Sequence, residues 1–144
     1  MPGEIEKSAE LLGMTTQEFF DKYVIVDYWF GDDTPGNNTV FTLSPLFGNL
    51  DSKITPISPL GCCVFLDENS KCRIHEAKPF ECKSYLHDTA AEQAKATHIA
   101  CRDAWNTVEN QAQITKLLGY EPNTPDPSWV DIFELLGGFK SRPK

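Results

Sequence analysis

The chain has 144 residues, 40% of them hydrophobic and 24% charged, a balance that suits a globular protein able to bury a core of its own. With 21 acidic against 13 basic side chains its formal charge is −8, which argues against a phosphate-tracking surface and hence against a nucleic-acid partner. No apolar run approaches the roughly 20 residues that cross a bilayer, and Met1-Pro-Gly-Glu-Ile-Glu-Lys lacks the apolar stretch of a secretory signal, so a single domain, 1–144, is expected in the cytoplasm with no membrane partner.

In chain order, Glu4 to Leu12 reads as a short helix with Ile5, Ala9 and Leu12 on one face, ended by Gly13. Thr15-Thr-Gln-Glu18 is a capping-box signature that opens a second helix running to about Lys22. Tyr23 to Phe30, rich in β-branched and aromatic residues, predicts a strand; after the loop Gly31 to Asn38, Thr39 to Leu43 predicts its hairpin partner. Pro45, Pro56 and Pro59 keep Ser44 to Gly61 irregular. Cys62 to Leu66 and Cys72 to His75 predict two short strands around the polar turn Asp67 to Lys71, and Pro79 suits the first position of a helical turn that reaches Cys82. The longest helical signal runs from Thr89, with Asp88 or Thr89 as cap, to Leu118, broken once near Asn106 or Asn110 and stopped at Gly119. A proline-rich loop, Glu121 to Pro127, leads to a last amphipathic helix at about Ser128 to Leu136. Separate helices with short antiparallel strands make the expected fold class α+β.

The cysteines carry the chemistry. All five (Cys62, Cys63, Cys72, Cys82 and Cys101) lie in the interval 62–101. In a reducing compartment such a cluster points to metal ligands or reactive thiols rather than to disulfides. From Cys63 the spacing is C-x8-C-x9-C-x18-C. Four thiolates complete a tetrahedral Zn²⁺ site, and soft sulfur ligands favour zinc or iron–sulfur clusters over hard cations. Lys71, Arg73, Lys78 and Lys83 face only Glu76 and Glu81 in the same stretch, a local excess of two positive charges in an acidic chain. Such cations are expected to stabilise thiolates and lower their pKa values.

The segment Cys63-Val-Phe-Leu-Asp-Glu-Asn-Ser-Lys-Cys72-Arg-Ile-His-Glu-Ala-Lys-Pro-Phe-Glu-Cys82-Lys resembles the central signature of the YkgJ-like zinc- or iron-chelating cysteine-cluster family. That signature runs Cys-x-Phe-Leu, then Cys-x-Ile-Tyr-Glu-x-Arg-Pro-x-x-Cys-Arg, with eight residues between its first two cysteines. Phe65, Leu66, Ile74, Glu76 and Pro79 are in register; His75 stands for the tyrosine, and Lys78 and Lys83 stand for the arginines. Family members usually carry further cysteines upstream, where this chain has only Cys62. The resemblance implies metal binding through Cys63, Cys72 and Cys82; its register selects Cys63, while a loop geometry would let the adjacent Cys62 replace it or share the role. Spacing and chemistry add Cys101 as the fourth ligand, with His98 one helical turn earlier as its alternative.

The expectation is therefore a four-cysteine zinc site, structural because no coordination position stays open. An iron or Fe–S cluster on the same thiolates, making an electron carrier or redox sensor, is the rival. A thiol-dependent enzyme or accessory is a second class, and a module whose metal-stapled loops meet a protein partner is a third. His75-Glu76-Ala-Lys-Pro79 starts like a zincin helix, but proline replaces the second histidine and the protease chemistry is lost. No P-loop, dinucleotide fingerprint or nucleophile elbow occurs.

Overall fold

Helix α1 (Glu4–Leu11) buries Ile5, Ser8 and Ala9 and gives way to Gly13 at φ +65°, a left-handed turn position that favours glycine. Helix α2 (Thr16–Tyr23) opens on the expected capping box. Thr15 Oγ1 accepts from the Glu18 N–H at 3.2 Å, and Glu18 Oε2 accepts from the Thr15 N–H at 2.8 Å. At its other end the Lys53 ammonium donates to the Phe20 and Asp21 carbonyls and lies 4.2 Å from the centre of the Phe20 ring. A cation there meets the negative end of the helix dipole. The structure is a computed structural model and describes residues 1–30, 34–46, 53–54, 62–84 and 91–123. The expected caps at Asp88 and Thr89 and the expected helix at 128–136 lie outside the described residues.

Strands β1 (Val24–Trp29) and β2 (Val40–Pro45) pair antiparallel, with Val24 opposite Pro45, Val26 opposite Leu43 and Tyr28 opposite Phe41. Val24, Val26, Tyr28, Val40 and Phe41 enter one core with Phe19, Phe20, Phe65, Ile74, Trp105 and Ile114. The edge of β2 is closed by a side chain. Gln111 accepts from the Phe41 N–H at 3.1 Å through Oε1 and donates to the Phe41 carbonyl at 2.9 Å through Nε2, in the manner of a third strand.

The long helical stretch is two helices, α4 (Ala91–Trp105) and α5 (Val108–Leu118), with the break at the expected Asn106. Thr107 caps α5 by accepting from the Asn110 N–H at 3.2 Å. The amides of Asn110 and Gln111 satisfy the Ala104 and Trp105 carbonyls at the end of α4, at 2.7 and 2.8 Å. Gly119 ends α5 in the left-handed region. Among the described residues the architecture is thus α+β, five helices (α3 is Phe80–Ser84) and a two-stranded antiparallel sheet, and no helix is long and apolar enough to cross a membrane.

The two strands expected at 62–66 and 72–75 do not form. Among the described residues one antiparallel bridge, Leu66 to Cys72, joins the two segments, and His75–Ala77 forms a 3-10 turn. The link is an Asx turn, in which Asp67 Oδ1 accepts from the Asn69 and Lys71 N–H groups, both at 2.8 Å, and Ser70 sits at φ +59°. The arms themselves close local turns with groups that a ladder would use: the Leu66 N–H donates to the Cys63 carbonyl at 3.0 Å and the His75 N–H to the Cys72 carbonyl at 3.2 Å. What anchors the resulting hairpin is Phe65, 2% exposed, stacked on Phe19 at 5.5 Å and tilted against Tyr23 at 5.3 Å. Phe65→Ala is expected to cost about 3–5 kcal/mol, read as a lower urea midpoint; a midpoint within error of the parent would show that the hairpin is held elsewhere.

Candidate functional site

Cys63 and Cys72 stand on the two arms of this hairpin. The arms are tied by the Arg73 N–H donating to the Phe65 carbonyl at 2.8 Å and the Asp67 N–H donating to the Lys71 carbonyl at 2.9 Å. Beyond the hairpin the His75 N–H donates to the Cys72 carbonyl at 3.2 Å, so the chain turns back as soon as it leaves Cys72. Cys82 arrives on α3, and α1 places that helix. Glu4 Oε1 accepts from the N–H of Phe80, the first residue of α3, at 2.8 Å, and Ser8 Oγ donates to the Ala77 carbonyl at 3.2 Å. A carboxylate at a helix start satisfies an orphan donor and meets the positive end of the dipole.

These tethers bring Cys63, Cys72 and Cys82 to the wall of one cavity of about 610 Å³. Its apolar lining is Phe65, Leu66, Ile74 and Pro79, and its polar lining is Ser70, Lys71, His75 and Lys78. Donor type and number suit a thiolate metal, but the thiols line a space much larger than one ion. Among the described residues no three Cys, His, Asp or Glu side chains are grouped closely enough to hold one.

Two of these thiols are held away from the thiolate form. Burial pushes Cys63 up, and the neighbouring sulfurs of Cys72 and Cys62 add to this against the pull of the Phe65 backbone and of Lys78. Cys82 is pushed up to about 11, by burial first and then by Cys63 and Glu81, with Lys78 opposing. The expectation that the basic stretch lowers the thiol pKa values therefore does not hold for these two. Lys78 acts on both sulfurs in the expected sense, but the loss of solvent around them is the larger effect. Arg73 instead lies 5.5 Å from the centre of the Tyr23 ring, and Lys83 is exposed.

Cys101 and His98, the expected fourth ligand and its alternative, both engage Glu81. Cys101 is 4% exposed on α4 and feels the charge of the Glu81 carboxylate, while His98 Nδ1 lies 2.9 Å from Glu81 Oε1. Neither is among the described residues that line the cavity of the other three thiols. Cys62 is exposed. His75, which enters the sequence pattern as a departure, lines the cavity; the signal for it was the Cys72-x-x-His75 spacing, short enough for a single turn. No family model, curated protein or solved structure matches the chain.

Burial, followed by the Glu81 charge, pushes the Cys101 thiol from 9.0 up to about 12. The folded state then holds this proton more tightly than the unfolded chain. Its contribution to stability is present in full below about pH 9 and is lost as pH rises toward about 12. Between about pH 8 and about pH 10.5 the parent is expected to lose more of its urea midpoint than Cys101→Ala does. Equal losses in the two proteins would show that this thiol is not the source.

Proposed function

We propose that this chain is a zinc-binding protein of the reducing cytoplasm, a divergent relative of the YkgJ-like cysteine-cluster family, in which Cys63, Cys72 and Cys82 hold one Zn²⁺. The observation that supports this reading is that three thiols, from two hairpin arms and a helix, line one cavity, whose walls would have to close for all three to reach one ion. The same three cysteines carry the resemblance to the family signature. Zinc suits the set because it takes sulfur ligands without a redox change and in a tetrahedral shell that a hairpin and a helix can supply. Such an ion would tie the hairpin to α3 and contribute its binding energy to folding. Lys71 and Lys78, which line the cavity, offset part of the negative charge of a multi-thiolate centre.

A nucleophilic cysteine fits less well. Catalytic thiols are activated by depressed pKa values, whereas Cys63, Cys82 and Cys101 are all raised, and Cys101 is closed off from solvent.

Elemental analysis of the full chain, purified with neither added metal nor chelator, is expected to return one zinc per chain and no visible absorbance. Cys72→Ser and Cys82→Ser are expected to lose the zinc, and Cys62→Ser to keep it. If free zinc stands ~1,000-fold above the dissociation constant, that loss destabilises the fold by about 4 kcal/mol. Metal-free protein, or stoichiometric iron with visible absorbance, would overturn the zinc assignment.

A further inference from the structure

The cavity bounded by the hairpin and α3 suits a guest larger than an ion. Its volume, about 610 Å³, falls within the range of small-molecule sites, roughly 300–1,000 Å³. Phe65, Leu66, Ile74 and Pro79 give it an apolar wall, and Lys71 and Lys78 stand on the same lining. Leu66 is 43% exposed, a large apolar side chain left open to solvent on this wall. We infer that this cavity binds a small organic anion with an apolar body, of the class of an aromatic carboxylate. The inference goes beyond the zinc reading and does not rest on it. An ion requires the walls to draw together, whereas an organic anion fits the cavity as it stands.

Charge selects the sign of the guest. Among the described residues the lining includes no Asp or Glu, and neither Lys71 nor Lys78 is paired with a carboxylate. Asp67 and Glu81, on the adjoining turn and helix, are engaged elsewhere. Asp67 accepts from the Asn69 and Lys71 N–H groups inside its turn, and Glu81 lies against His98. Two unneutralised ammonium groups on a chain of net charge −8 make a local positive site. Lys78 is half-buried, and a charge with less water around it attracts an anion more strongly. An inorganic anion would meet the charge and gain nothing from the apolar wall. A neutral apolar molecule would leave both lysines unused. A guest with an apolar body and a carboxylate uses the whole lining, and its two oxygens accept from the ammonium donors.

The test is calorimetric titration of the full chain with 1-naphthoate, in a thiol reductant, after treatment with EDTA and with the zinc content measured before and after. One naphthoate per chain is expected to bind. The uncharged 1-naphthalenemethanol, with the same apolar body, is expected to bind more weakly by about tenfold or more, the worth of a hydrogen bond to a charged group. The double variant Lys71→Gln, Lys78→Gln is expected to lose this preference for the anion. Lys83→Gln, exposed and outside the lining, is expected to keep it. Leu66→Ser is expected to weaken both probes alike. Circular dichroism confirms that each variant folds. No saturable binding of naphthoate to the parent, equal affinity for the two probes, or an unchanged preference in the double lysine variant would overturn the anion site and leave the zinc reading to its elemental analysis. A parent that is purified without zinc and binds naphthoate would overturn the zinc reading alone.

Discussion

The stacking of Phe65 between Phe19 and Tyr23 is the contact on which the cysteine arrangement depends. A hairpin of a dozen residues with one bridge and an Asx turn has little stability of its own. What holds it is the burial of Phe65 and Ile74, 2% and 1% exposed, in the same core as α2 and the sheet. The cysteines stand near these anchors, Cys63 two residues before Phe65 and Cys72 two before Ile74. Fixing the two apolar side chains therefore fixes both sulfurs, and the positions of the thiols follow from hydrophobic packing rather than from any affinity between them.

Cys82 is placed by a different force. The carboxylate of Glu4 and the hydroxyl of Ser8, both on α1, hold the backbone at Phe80 and Ala77. Polar groups fix geometry more tightly than apolar ones, because a displaced buried hydrogen bond leaves an unpaired group behind. An apolar anchor on one side and a polar one on the other thus bring hairpin and α3 to a common wall.

Glu81 divides the cysteines into two environments. On one side is the cavity of Cys63, Cys72 and Cys82, which Lys71 and Lys78 also line; on the other the carboxylate engages Cys101 and His98. In both settings burial outweighs local charge, and Cys63, Cys82 and Cys101 hold their protons until something replaces them. A metal ion is such a replacement, since ligation trades each S–H proton for a bond to a cation.

Features settled within a few residues were legible in the amino-acid string. The Thr15–Glu18 capping box, the strand pair Val24–Trp29 and Val40–Pro45, the break at Asn106 and the Gly119 stop all arise from side chains acting on their own backbone or on a repeating pattern. The sulfur spacing marked out Cys63, Cys72, Cys82 and Cys101 together, of which the first three line one cavity. Short apolar runs beside Asp67 misled, because each closes a turn on itself, Leu66 on Cys63 and His75 on Cys72, with groups that a strand would use. Folding in three dimensions decided what spacing could not. It set Cys101 and His98 against Glu81, brought His75 to the cavity, and raised the thiol pKa values despite a basic neighbourhood in the sequence. Each of these is a through-space effect: which groups meet, and how much water is removed around them, depends on segments far apart along the chain.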